Sequence, residues 1–233
     1  MRPRMFVVAG PPGSGKSTAF PVSGFGVDFF NADDRAAALH EGSYVSIPRA
    51  LRDQANSLFA AFILDHINRG VSCAFETTLR SEITFDQAEL ARRAGFTVEM
   101  RYLSLKTFEM HLERIRMRAD RRGHSAPESA LRRIYEASIE NLPRAIREMD
   151  FIHVYDNSGW GACPKVLLQA ESGETIYKAD EIPVWLIKAL EGRYHRRSCS
   201  IPLYAAAPSP AASPRSASRA RAPLRKPLSA PRA

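Results

Sequence analysis

Short apolar runs, each closed within a few residues by glycine, proline or a polar cluster, punctuate the chain at Met5–Ala9, Val27–Phe30, Val71–Phe75, Phe96–Leu105 and Phe151–Tyr155. Runs of this length with such breakers at their ends read as buried strands. Between them the apolar spacing changes to that of a helix face. From Ile47 to Arg69 the residues Leu51, Ala55, Leu58, Phe59, Phe62, Ile63 and Ile67 share one stripe. Helices are also predicted over Ile83–Arg93, from Lys106 through His111, Ile115 and Met117, and over Glu128–Met149, where Leu131, Ile134, Tyr135, Ser138, Ile139 and Leu142 line one side. Strands alternating with helices at this spacing imply right-handed crossovers, hence an α/β fold with a five-stranded parallel sheet flanked by helices. Two further runs, Lys165–Ala170 and Thr175–Lys178, flank Glu171-Ser172-Gly173-Glu174 and predict a C-terminal β-hairpin, and Ile182–Leu190 predicts a closing helix.

Charge changes this picture at one end only. The 233 residues carry a formal net charge of +8, but from Arg196 onward there are eight basic residues and no acid, which leaves 25 Lys and Arg against 25 Asp and Glu before it. The stretch 196–233 also holds seven of the sixteen prolines and ten alanines. It cannot build a core, so a single domain over 1–195 and a disordered basic tail over 196–233 are expected. Such a tail makes at most weak nucleic-acid contact, since Tyr204 is its only aromatic residue. Three cysteines without metal-ligand spacing suit a reducing compartment. The longest apolar run, Leu58–Leu64, is seven residues, and the chain passes from Arg4 directly into the first strand, without the h-region of a signal peptide. No membrane association and a cytoplasmic location are therefore expected.

The densest chemistry follows the first strand. Gly10-Pro11-Pro12-Gly13-Ser14-Gly15-Lys16-Ser17 fits G-x-x-x-x-G-K-[ST] at every fixed position and leads through Thr18 into a helix that Pro21 cuts short. In a P-loop of this kind the glycines let backbone N–H groups curl round phosphate oxygens, the lysine reaches the terminal phosphates and the hydroxyl ligates Mg²⁺. ATP and Mg²⁺ are the cofactors implied. A dinucleotide fingerprint is excluded because the third glycine is missing.

Other candidates lie at the ends of the later strands, where open parallel sheets bind ligands. The second strand delivers Asn31-Ala32-Asp33-Asp34-Arg35 as a turn, and the third runs into Glu76-Thr77-Thr78-Leu79-Arg80. Glu76 suits either Mg²⁺ or a substrate hydroxyl, and the sequence does not choose. Arg114, Arg116, Arg118, Arg121 and Arg122 precede Gly123-His124-Ser125-Ala126-Pro127, a loop between two helices with the anatomy of an arginine-rich lid. Its guanidinium groups would stabilise a transferring phosphoryl. Asp156 and Asn157, after the fifth strand, are placed beside the nucleotide. The six histidines have no zinc spacing, and no Ser-His-acid set can be argued.

Taken in order, Gly10–Thr18, Asn31–Asp33, Phe75–Arg80, Arg114–Arg118, Gly123-His124 with Pro127-Glu128, Arg132–Tyr135 and Tyr155–Ser158 resemble the zeta-toxin-like P-loop kinases, particularly their small bacterial branch. The resemblance covers most of residues 5 to 160. It implies that Asp33 is the general base on a sugar hydroxyl, that Glu76, Thr78 and Arg80 hold the acceptor, which in the better-known toxins is UDP-N-acetylglucosamine, and that Arg114, Arg118 and Arg122 serve the phosphoryl group.

The function expected is ATP-dependent phosphoryl transfer to a small-molecule hydroxyl acceptor. An alternative is an NTP-dependent switch, half of a toxin and antitoxin pair with an antitoxin-like protein as partner. Arginines converging on a γ-phosphate suit transfer better than signalling. A polynucleotide kinase is suggested only by the basic tail, and the Leu-Ser-Gly-Gly-Gln signature of ABC-type ATPases is missing.

Overall fold

A computed structural model describes residues 2–122 and 126–191, the side chains of 119–122 excepted. The tail over 196–233, the lid residues Gly123, His124 and Ser125, and the side chain of Arg122 lie outside the described residues. The described residues belong to one unit, Met1–Tyr194.

The strand β1 (Arg4–Ala9) sits inside the sheet because its residues alternate between two faces that are both covered. It pairs in parallel with β3 (Cys73–Thr77) and β4 (Thr97–Ser104). The short strand β2 (Asp28–Phe30) pairs in parallel outside β3, and β5 (Phe151–Asp156) pairs in parallel outside β4. Here the expectation needs correction. The hairpin β6 (Lys165–Glu171) and β7 (Glu174–Lys178) is not an appendage but pairs antiparallel on the edge of β5, so the sheet has seven strands, in the order β2-β3-β1-β4-β5-β6-β7. The physical reason is an open edge: β5 would otherwise leave a row of backbone donors and acceptors unpaired. The pairing shifts register between Val154 and Tyr155, which lets the consecutive residues Leu167 and Leu168 both be buried.

One sheet face presents Met5, Val7, Phe75, Met100, Tyr102 and Ile152 to the helices α3 (Arg49–Arg69), α4 (Ile83–Arg93), α6 (Glu128–Glu148) and α7 (Val184–Glu191), which contribute Ile63, Phe85, Leu142 and Leu186 to the main core. Leu58, read from spacing as part of the α3 stripe, is instead 40% exposed. The other face packs Val8, Ala74 and Leu103 under Val22 and the rings of Phe20 and Phe25. These follow the four-residue α1 (Lys16–Ala19), which ends before Pro21.

A second correction concerns Asn31–Arg35. The acids do not lie on a turn: they open a helix, α2 (Ala32–Leu39). The Asn31 side chain accepts from the backbone N–H groups of Asp33 and Asp34 at 3.0 and 3.4 Å, an N-cap with two carboxylates in the first turn, where the helix dipole favours them. The last helix of the set, α5 (Phe108–Arg122), follows β4 and carries the arginines. No described helix is long and apolar enough to cross a membrane.

Candidate active site

The P-loop joins β1 to α1. Gly15 takes φ +87°, the left-handed region glycine tolerates, and a Cβ there would lie 2.5 Å from Asn157 Nδ2 and 3.5 Å from Arg114 Nη1. The loop is thus packed from outside by the arginine-bearing α5 and by the turn after β5. Asn157 donates from Nδ2 to the Ser14 carbonyl at 2.8 Å, and its own backbone N–H donates to Ser104 at 2.9 Å. Arg114 donates to the Asn157 carbonyl at 2.7 Å and stacks 5.1 Å over the exposed Trp160 ring. Asp156 accepts from the backbone N–H of Ser158 at 2.9 Å, which fixes that turn, and from its hydroxyl.

Inside the loop, the buried Lys16 ammonium donates to the carbonyls of Gly10 and Pro11 at 2.9 and 3.1 Å and lies 3.6 Å from Glu76 Oε1. The other carboxylate oxygen of Glu76 accepts from the Ser17 hydroxyl at 2.8 Å. Burial holds the Lys16 pKa below the usual lysine value, opposed by the charges of Glu76 and Asp33, while Arg118 pushes it down further. Residues from three other elements therefore act on the Lys16 ammonium of α1: Glu76 on β3, Asp33 on α2 and Arg118 on α5. The carboxyl of Asp33 belongs to an exposed residue at the first turn of α2 and is not sealed by packing.

The turn after β3 is pinned. Leu79 is fully buried at φ +56°, uncommon for a bulky side chain. Its N–H donates to Thr77 Oγ1 at 3.2 Å and its carbonyl accepts from Asn141 Nδ2 at 3.0 Å. This sets the half-buried Thr78 and the exposed Arg80 on either side of a fixed point, one and three residues past Thr77.

Sequence reasoning passed over His111, which is 1% exposed. Its Nδ1 lies 2.8 Å from the Pro12 carbonyl, and its Nε2 lies 3.1 Å from the Leu105 backbone nitrogen. Burial is the main cause that brings its pKa down to about 4, with the charges of Lys16 and Arg114 acting in the same direction and the Pro12 bond against it. The one available signal was its place at helical spacing between the apolar Phe108 and Ile115. Asn141 carried no signal, because its partner is 62 residues away.

The donor set suits a hard cation that keeps several waters: one hydroxyl and one carboxylate, adjacent, both oxygen. Among the described residues no group of three or more His, Cys, Asp or Glu forms a self-sufficient metal cage.

No protein-family model matches the sequence, and no curated protein matches it. Solved structures do. A chain from the AvrRxo1-ORF1:-ORF2 complex with ATP aligns with a TM-score of 0.57 at 18% identity, over 75% of this chain and 60% of that one. A chain from the PezAT chromosomal toxin-antitoxin system of Streptococcus pneumoniae aligns with a TM-score of 0.51 at 15% identity, over 84% of this chain and 80% of that one. This chain thus spans about three fifths of the AvrRxo1 chain it matches. At these identities the likeness establishes the fold: the protein shares the α/β architecture of these neighbours, as the resemblance read from its sequence implied.

Proposed function

We propose that the protein is an ATP-dependent phosphotransferase that phosphorylates a hydroxyl group of a small-molecule acceptor. The observation that carries this reading is the geometry of the P-loop, where Lys16 is held on the Gly10 and Pro11 carbonyls 3.6 Å from Glu76, whose other oxygen accepts from Ser17; the charges of Asp33 and Arg118 acting on the same ammonium support it. The loop amides and Lys16 bind the β- and γ-phosphates. Lys16 exchanges its contacts with the Gly10 and Pro11 carbonyls for phosphate oxygens. Ser17 and Glu76 would hold Mg²⁺, whose chemistry is to neutralise phosphate charge during transfer. Asp33 accepts the acceptor's proton, as its exposed position at the first turn of α2 permits when the hydroxyl is brought within hydrogen-bond reach. Arg118, with Arg114 and Arg122 on the same helix, supplies positive charge for the transferring group and forms one arm of a lid with α6. Thr78 and Arg80, set by Leu79, hold the acceptor, and Asp156 and Asn157 border the nucleotide.

The neighbour with ATP is named for its complex with a second protein, and the other for a toxin-antitoxin system, so an antitoxin-like partner is a second, compatible proposal. The test of the main reading is a transfer assay with MgATP and a metabolite pool that includes UDP-N-acetylglucosamine. Asp33→Asn should retain ATP binding and lose phosphorylated product. Product formation at the wild-type rate in that variant removes Asp33 from the mechanism, and turnover that needs a protein partner and no acceptor favours a switch.

A further inference from the structure

His111 has two neighbours whose chemistry leaves it one protonation state. The Leu105 backbone N–H can only donate, so Nε2 must accept; the Pro12 carbonyl can only accept, so Nδ1 must carry the proton and donate. An imidazolium would set its Nε2–H against the Leu105 N–H. The groups that face the ring agree with a neutral state: Lys16 from α1 and Arg114 from α5 are cations, Ser104 from β4 offers a hydroxyl 3.3 Å from Nε2, and the Tyr135 ring from α6 lies edge-on with centroids 5.2 Å apart.

The grip falls on an informative peptide. A trans peptide sends its C=O and N–H in opposite directions. Holding the Pro12 carbonyl toward His111 therefore turns the Gly13 N–H away from it. Asn157 does the same two residues on: by taking the Ser14 carbonyl it turns the Gly15 N–H away from itself. Two alternate peptides of the loop are thus oriented by side chains from outside it, and their amides are the groups a phosphate-binding loop uses. The helix is fitted to the loop as well, since a Cβ on Gly13 would meet the His111 carbonyl at 2.7 Å and Ile115 Cγ1 at 2.9 Å.

We propose that His111 is a positioning residue for the phosphate-binding loop: as the Nδ1–H tautomer it fixes the Pro12–Gly13 peptide and ties the loop to the helix that carries Arg114 and Arg118. The proposal rests on the reading of this loop as a triphosphate site. It assigns the contact of the buried His111 with the loop a role in affinity, separate from its contribution to folding.

Two substitutions separate these roles. In His111→Asn the side-chain amide nitrogen stands where Nδ1 stood, so the donor to Pro12 is kept and the acceptor for Leu105 is lost. In His111→Phe the ring shape is kept and both bonds are lost. Both should lower thermal stability. For ATP binding measured calorimetrically on the full chain, well below each variant's melting temperature, His111→Asn should stay within about threefold of wild type, and His111→Phe should lose about tenfold or more, the scale of one lost hydrogen-bond anchor. Equal losses in both variants, or wild-type affinity in His111→Phe, overturn the proposal. Long-range ¹⁵N–¹H spectra of the wild-type imidazoles provide a check that needs no nucleotide. The Nδ1–H pattern should persist from pH 8 to pH 5; an Nε2–H pattern, or titration near 6.5, overturns the clamp. Wild-type protein that binds no ATP would refute the triphosphate reading, while the spectra still judge the clamp.

Discussion

Glu76 is the most informative residue to neutralise. Its carboxylate is 15% exposed and stands 3.6 Å from a Lys16 ammonium that is 7% exposed. At an effective dielectric constant of about 20, two unit charges at that distance attract by about 4.6 kcal/mol. Glu76→Gln removes the attraction with little change in shape, and the amide oxygen can still accept from Ser17. Lys16 keeps its bonds to the Gly10 and Pro11 carbonyls, so part of the loss is offset. A net destabilisation of about 2–4 kcal/mol follows, which overlaps the lower part of the roughly 3–5 kcal/mol typical of stripping one partner from a buried pair. Urea unfolding at pH 7 should show a lower midpoint with an unchanged slope, and thermal unfolding a midpoint lower by roughly 6–12 °C for a domain of this size. The same variant should lose more affinity for ATP with Mg²⁺ than for ATP without it, because it removes a metal-side carboxylate while raising local positive charge. A variant as stable as wild type within about 0.5 kcal/mol, the scatter of neutral surface changes, would refute the electrostatic account of this pair.

Two further outcomes follow from the same geometry. His111 has a folded pKa of about 4 against an ordinary 6.5, so the unfolded chain binds the extra proton first; its contribution to stability is fully present above pH 6.5 and is lost as pH falls through 4. The stability gap between wild type and His111→Phe should therefore narrow by about 2.5 kcal/mol between pH 7.5 and pH 4.5, read from urea midpoints, and a constant gap contradicts it. Gly10 has φ +139°, and a Cβ there would lie 2.0 Å from the Leu103 carbonyl oxygen, whereas Gly26, at φ +68°, has nothing within 4 Å. Gly10→Ala should cost more than about 4 kcal/mol or prevent folding, and Gly26→Ala only about 1 kcal/mol of backbone strain, as measured by chemical unfolding.

Much of this molecule was legible because its signals are local. The helix Ile83–Arg93 is bounded in the structure where the apolar spacing and the following Gly95 place it, and the P-loop announces itself by eight consecutive residues. What escaped was of two kinds. The helix α2 is built largely on Ala36, Ala37 and Ala38, which favour a helix strongly but draw no amphipathic stripe, so the capping Asn31 was read as a turn residue. The remainder is non-local. Whether the hairpin stands apart or extends the sheet depends on the edge of β5, and the contacts of His111 with Pro12 and of Asn157 with Ser14 span 99 and 143 residues. No spacing rule reaches that far. The exposure of Leu58 belongs with these, since periodicity marks a stripe and only packing decides how wide the covered part is.

The central claim is that this loop holds a triphosphate through Lys16. The most direct measurement is calorimetric titration of MgATP into the wild type and Lys16→Ala, at one protein concentration and at physiological salt. Saturable one-to-one binding in the wild type, weakened by at least about a hundredfold in the variant through loss of a desolvated ammonium, is the result predicted. Indistinguishable titrations for the two proteins would contradict it.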